Sequence, residues 1–291
     1  MEFMEIPENT ILSTVNYFKG ELTSFYDTSE LEQILQITFS HYFKLNRIDL
    51  TLKRDDILSQ SEINLLKEVI DELKKKKPLA QIIGEWEFFD LVLKINEHTL
   101  IPRPETEELV QLIIDQNKEK EHPYILDIGT GTGCIALALK KNLSNSKVSA
   151  FDVSDEALKL AKINANKNNL EVAFNKVDIL NWKTQTIENK YDIIVSNPPY
   201  ITLKEKGLMH KNVLDYEPHL ALFVDDEEPL IFYESIAEFA LNHLTLGGKL
   251  YLEINENYGN EVKDLLLDRK FKNVNIVLDI NEKERIVSCN I

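Results

Sequence analysis

The chain has 291 residues, 43% of them hydrophobic and 28% charged, enough apolar mass for one large core or two smaller ones, and two domains are the default at this length. With a formal charge of −16 a broad basic surface is hard to build, which makes duplex DNA a poor first partner. Two cysteines, Cys134 and Cys289, are too few for a disulfide framework or a cysteine-paired zinc site, so neither disulfides nor a metal are expected. No apolar run approaches the roughly 18 to 20 residues of a membrane span. The stretch Met1 to Thr10 is acidic, unlike a signal peptide, and a cytoplasmic location is expected.

From residue 10 to about 77 apolar residues recur at helical spacing: Ile11, Val15, Phe18 and Leu22; Leu31, Ile34, Leu35, Phe39 and Tyr42; Ile63, Leu66, Val69, Ile70 and Leu73. Three or more amphipathic helices predict a small bundle over residues 1–80. The last opens on Ser59, with Glu62 at capping-box spacing, and closes in the lysine run 74–77 before Pro78, a solvated helix end that sets a domain boundary near residue 80.

Trp86, Phe88, Phe89, Leu91, Leu93 and Ile95 then fall in two short strand-like runs around Asp90, a predicted hairpin. It leads into the loop Leu100 to Glu107 (LIPRPETE), kept extended by two prolines, so 81–107 reads as hairpin and linker. From 108 onward helix and strand alternate: a helix to about 117, strand 124–128, helix 134–141, strand 147–152, helix 155–168, strands 172–177 and 191–196. A helix over about 229–243, strand 249–254, a helix over about 258–269 and strand-like 274–279 and 285–290 complete the chain. This predicts an α/β domain over 108–291, a parallel sheet covered on both faces with an antiparallel hairpin at its end.

The run Gly129-Thr130-Gly131-Thr132-Gly133 joins strand 124–128 to the helix at Cys134, so backbone N–H groups meet a helix N-terminus where a nucleotide-like ligand is expected. A dinucleotide fingerprint wants its third glycine at the position of Cys134; the spacing here is the G-x-G-x-G of methyltransferases that bind S-adenosylmethionine, and NAD is the lesser reading. Asp152, 23 residues past Gly129, ends the next strand, where a carboxylate accepts both ribose hydroxyls; Ser154 suits the following N-cap better. Asp178 ends the third strand, beside the expected adenine edge, and Trp182 either stacks on the base or closes the core.

Asn197-Pro198-Pro199-Tyr200 ends the buried strand 191–196, and the prolines fix a backbone that cannot extend the ladder. The nitrogen of an amide or aromatic amine has a delocalised lone pair and attacks only when its N–H groups point at acceptors. Asn197 Oδ1 and the Pro198 carbonyl are candidate acceptors, and the Tyr200 ring can pack on the flat acceptor group and align its nitrogen. A simple proline turn explains Pro198 and Pro199 but neither the Asn before them nor the Tyr after.

With the helical leader, the segments LIPRPETE, DIGTGTGCIALAL, FDVS, SNPPYI and DINEKERIV resemble the PrmC/HemK family along nearly the whole chain. The resemblance implies a Rossmann-like S-adenosylmethionine-dependent fold. It also implies methyl transfer from that donor, leaving S-adenosylhomocysteine, to the N5 of the Gly-Gly-Gln glutamine of class I peptide chain release factors. Asn197, Pro198, Pro199 and Tyr200 would hold the glutamine, Asn197 also bordering the donor, and the helical bundle would help grip the release factor. A monomer without stable nucleic-acid or membrane partners is implied.

By the same resemblance Arg103 and Glu105 lie against the pocket, orienting the helix around it, pairing with each other or touching ligand, while Thr106 reads as a helix cap. Glu217-Pro218 falls near the site, and the acidic run 225–228 is either solvated surface or a rim for a basic face. Two departures from the family pattern, Asp90 in the hairpin turn and the glycine-free Leu252 to Asn257, bear on loop geometry. The rivals are a methyltransferase for a ribosomal-protein glutamine or for an exocyclic amine of a nucleic acid, and a binding module without chemistry.

Overall fold

The computed structural model describes residues 8–291, apart from the side chain of residue 208, so most of the acidic leader lies outside the described residues. The chain divides into two compact units, a helical one ending at Ile83 that also takes in Lys211–Tyr216, and an α/β one from Gly84 onward.

In the helical unit the principal helices are α1 (Ile11–Leu22), α2 (Thr28–Phe43), the single turn α3 (Asp49–Leu52), α4 (Gln60–Lys74) and α5 (Leu79–Ile83). Side-chain caps start three of them: Thr10 Oγ1 accepts from Ser13 N, Asp27 Oδ1 from Glu30 N, and Ser59 with Glu62 forms the expected capping box. The periodic residues make the core. Phe18 and Phe39 are fully buried and meet edge to face at 5.9 Å, with Leu22, Leu35, Leu66 and Ile70 around them, while Val15 and Tyr42 sit at its margin. The sequence pattern missed α3 and α5, each too short to show a period.

The α/β unit opens with the hairpin β1 (Glu85–Phe88) and β2 (Leu91–Lys94), turned by Phe89 and Asp90, both at positive φ (46° and 59°). A two-residue turn of that hand matches strand twist, and Asp tolerates the left-handed region that a Gly would occupy without strain. Next come α6 (Pro104–Asn117), β3 (Tyr124–Ile128), α7 (Cys134–Asn142), β4 (Lys147–Asp152), α8 (Asp155–Lys167), β5 (Ala173–Lys176), β6 (Tyr191–Ser196) and the short β7 (Ile201–Thr202). Helix α9 (Lys211–Tyr216) clusters with the helical unit, where the Tyr216 carbonyl accepts from Gln81 Nε2 at 2.8 Å and its hydroxyl donates to the Lys75 carbonyl at 3.0 Å. The chain finishes with β8 (Phe223–Val224), α10 (Ile231–His243), β9 (Leu244–Glu253), α11 (Gly259–Asp268), β10 (Lys272–Leu278) and β11 (Glu284–Asn290).

The main sheet has the order β10-β11-β9-β6-β3-β4-β5, with β11 antiparallel to both neighbours and the central strands parallel, as the alternation predicts. Two boundaries differ most. Helix α6 starts at Pro104, where the ring is preorganised for a first turn, and β9 starts at Leu244 because extra residues near Gly247 (φ +76°) loop out before the register resumes at Ile193–Lys249.

Connections leave β3 toward β4 on one side, whereas β6 returns to the other side of β3. Strand order therefore reverses between β3 and β6, and a crevice opens there at the carboxyl ends of the strands.

Candidate active site

That crevice is a cavity of about 280 Å³, bordered by the turn after β3, the ends of β4 and β5, the turn after β6 and the loop before α6. The glycine turn closes one wall. Gly129 (φ +75°) brings the backbone under the Asn197 carbonyl, 4.0 Å from where a Cβ would stand, and Gly131 (φ +54°) borders the cavity with nothing within 4 Å of that position. Gly133 differs: a Cβ there would meet Ala161 Cβ and Leu137 Cδ1 at 3.3 Å, so its bareness serves helix packing, and it is not on the cavity wall.

Asn164, fully buried on α8, holds this turn in place. Its Nδ2 donates to the Thr132 carbonyl at 2.9 Å and to the Lys94 carbonyl at 3.1 Å, while Oδ1 accepts from Lys94 N at 2.6 Å, joining turn, hairpin and helix. Nothing in its local sequence marked it, since one Asn in an amphipathic helix usually faces water.

Asp152, which borders the cavity, accepts from Gly131 N and Ser154 N, both at 2.9 Å, and a carboxylate has lone pairs beyond those two bonds. Burial raises its pKa against those bonds. Asp178 also borders the cavity, accepting from Leu180 N at 3.0 Å and Asn181 Nδ2 at 2.8 Å. Trp182 does not: it packs edge-on against Phe239 and His243 at 5.3 and 5.5 Å, the core-closing alternative. Amphipathic patterning does not tell which aromatic turns inward, and Phe232, on α10, borders the cavity where Trp182 does not.

Beneath the turn, fully buried Asp127 accepts from the Thr130 hydroxyl at 2.6 Å and Ala136 N at 3.3 Å, and desolvation pushes its carboxyl up to about 7. Burial likewise pushes the Cys134 and Cys289 thiols up to about 12, so neither is a thiolate nucleophile at neutral pH. Among the described residues no group of acidic, His or Cys side chains is placed to hold a metal ion, and no helix is long and apolar enough to cross a membrane.

On the opposite wall Asn197, Pro198 and Pro199 border the cavity, and the Ser196 hydroxyl ties the strand end to the Ile128 carbonyl at 2.8 Å. Asn197 Nδ2 donates to Thr106 Oγ1 at 3.2 Å, and the Thr106 hydroxyl donates to Glu253 Oε2 at 2.7 Å. Thr106 therefore does not cap α6, which has no side-chain cap; its hydroxyl spans two strand ends.

Tyr200 is not on the cavity wall: its hydroxyl donates to Glu253 Oε1 at 3.1 Å, and burial together with that carboxylate raises the phenol pKa. The Tyr200 carbonyl accepts from Asn255 Nδ2 at 3.1 Å, so the glycine-free loop after β9 secures the turn by a side chain. Burial raises the pKa of Glu253, opposed by the bonds from Thr106 and Tyr200 and by the charge of Arg285.

Arg103 pairs with Glu217 rather than Glu105, at 2.5 Å, and Glu217 also accepts from Ile101 N at 2.9 Å, so the loop before α6 is stitched to the loop before β8. Arg103 and Pro218 border the cavity and Glu105 does not. The acidic run 225–228 forms a turn before α10, with Asp226 and Asp225 capping Lys204 N and Glu227 N.

The helical leader matches the PrmC N-terminal domain over residues 15–84, and residues 106–216 match the Methyltransferase small domain. The release factor glutamine methyltransferase of Flavobacterium psychrophilum is 45% identical across 94% of this chain and 96% of its own, and that of Bacteroides thetaiotaomicron is 40% identical across 94% and 98%. A methyltransferase of solved structure from Pyrococcus furiosus shares the fold, with a TM-score of 0.51 at 21% identity over 76% of this chain and 96% of that one. With the glycine turn and the Asn-Pro-Pro turn facing each other across one crevice, and relatives this similar from end to end, the chain belongs to the release factor glutamine methyltransferase family.

Proposed function

We propose that this methyltransferase takes its methyl group from S-adenosylmethionine and places it on the side-chain amide of the glutamine in the Gly-Gly-Gln motif of class I release factors. The supporting observation is that the glycine turn, Asp152 and the Asn197-Pro198-Pro199 turn border a single cavity at the switch point of the sheet.

The donor fits what is built there. Gly131 leaves space where any side chain would intrude, Asp152 has unused lone pairs, and the hydroxyl of Thr99, a cavity residue only 1% exposed, has no partner among the described residues. When bound, S-adenosylmethionine supplies an electrophilic methyl carbon on a sulfonium, whose sulfur keeps the bonding pair as S-adenosylhomocysteine leaves. Asp152 holds the ribose diol, with Gly129, Thr130, Gly131 and Thr132 lining the donor wall and Asp178 beside the base.

Asn197 Oδ1 and the Pro198 carbonyl accept the two amide N–H groups of the substrate, which turns the nitrogen lone pair toward the methyl carbon. As the N–C bond forms, positive charge grows on nitrogen, so these acceptors bind the transition state more tightly than the ground state, and a proton is then released. Tyr200 supports this turn from behind through Glu253, and Trp182 contributes by packing against Phe239 and His243. The helical unit grips the release factor, and the enzyme works in the cytoplasm as a monomer.

Incubation with labelled S-adenosylmethionine and an extract lacking this enzyme, followed by peptide mass spectrometry, tests the proposal. Label on the Gly-Gly-Gln glutamine supports it; label on a ribosomal protein or a nucleic acid would keep the chemistry and overturn the substrate, and no label would favour a binding module.

A further inference from the structure

We infer that Thr106 and Glu253 are positioning residues that set the polarity of the Asn197 side-chain amide, and so decide which end of it faces the acceptor nitrogen. The inference rests on the proposed role of Asn197 Oδ1. A primary amide is nearly symmetric in shape, and its two ends differ only in whether they donate or accept. Turned the wrong way, Asn197 would aim N–H groups at a nitrogen that must itself donate.

The relay removes that ambiguity. Glu253 is 1% exposed and accepts at both oxygens, from the Tyr200 hydroxyl at 3.1 Å and the Thr106 hydroxyl at 2.7 Å. A hydroxyl has one hydrogen, so Thr106, 2% exposed, having given it to Glu253, can only accept from its other neighbour. That neighbour is Asn197 Nδ2 at 3.2 Å, and Oδ1, which takes no bond from the described residues, is left for the substrate.

Sheet register makes the arrangement possible. Ser196 is paired with Leu252, so Asn197 and Glu253 are the next residues along adjacent parallel strands, and Thr106 in the first turn of α6 bridges them. A hydrophobic isostere at Thr106 would leave the strands in place and the amide free to turn.

Three full-length proteins test this: wild type, Thr106→Val and Thr106→Ser. Steady-state methylation of a class I release factor should show kcat falling tenfold or more in Thr106→Val, consistent with misplacement of a reacting group. KM for the factor and donor affinity by calorimetry should stay within about threefold, and Thr106→Ser should restore kcat to a similar margin. Equal losses in both variants, or a Thr106→Val enzyme with unchanged kcat, would overturn the relay.

A second readout needs no substrate. The Asn197 side-chain NH₂ signal in amide NMR should be protected from exchange in wild type and lose protection in Thr106→Val. An unprotected wild-type signal, or one unmoved by the substitution, overturns the inference. Wild type lacking activity on Gly-Gly-Gln while this protection pattern holds would overturn only the proposed function.

Discussion

Two glycines in one turn should fail in opposite ways when each becomes alanine. At Gly133 the backbone has φ +84°, and an added Cβ meets Ala161 Cβ and Leu137 Cδ1 at 3.3 Å with the Ala161 Cα at 3.5 Å. Left-handed strain of about 1–2 kcal/mol and overpacking of about 1–3 kcal/mol give a loss of about 3 kcal/mol. At Gly131 (φ +54°) nothing lies within 4 Å, so only strain of about 1 kcal/mol is expected. The new methyl would instead stand at the cavity wall.

Both tryptophans, Trp86 and Trp182, belong to the α/β unit, so their fluorescence during urea unfolding reports that unit alone. Gly133→Ala should lose stability while the folded fraction binds S-adenosylmethionine within about threefold of wild type. Gly131→Ala should stay nearly as stable and lose at least tenfold in donor affinity by calorimetry. A stable Gly133→Ala protein, or undiminished binding by Gly131→Ala, would refute the division of labour between the two glycines.

Asn164→Ala removes one buried and two part-buried hydrogen bonds and should cost about 3 kcal/mol in the same unfolding assay while weakening donor binding; a loss of stability with unchanged affinity would show that the turn does not depend on Asn164. Arg103→Met leaves Glu217, whose side chain is 1% exposed, without its cation, while the guanidinium itself is one-third exposed. A cost near 2 kcal/mol is expected, recovered when Glu217→Gln is added; simple additivity of the two changes would contradict the pairing. For Asp127 the folded pKa is raised from 3.8 to about 7, so the folded state holds the proton where the unfolded state has lost it. Its contribution to stability therefore falls as pH rises from about 4 to about 7 and then levels. The melting temperature of Asp127→Asn minus that of wild type should rise across this window, and a flat difference would contradict the shift.

The parallel strands were legible because they are short, buried and punctuated by Gly, Asp or Pro: β3, β4 and β6 begin and end where the pattern puts them. The relay was not, since Thr106, Asn197 and Glu253 are far apart in sequence and meet only through strand register and the placement of α6. Thr106 carried the local signature of a helix start, and Glu253 looked like one acid among many. Trp182 and Phe232 show a further limit, because each sits in an amphipathic segment and only packing decides which ring reaches the cavity. Short helices such as α9 leave no periodic trace and join their unit through a few backbone-directed bonds.

The most direct test of the central claim uses purified class I release factor, the same factor with its Gly-Gly-Gln glutamine changed to alanine, and S-adenosylmethionine, followed by tandem mass spectrometry. A single methyl on the glutamine side-chain amide is predicted, absent from the altered factor and lowered mainly through kcat in Asn197→Ala. A methyl found elsewhere on the factor, or undiminished turnover by Asn197→Ala, would contradict the account.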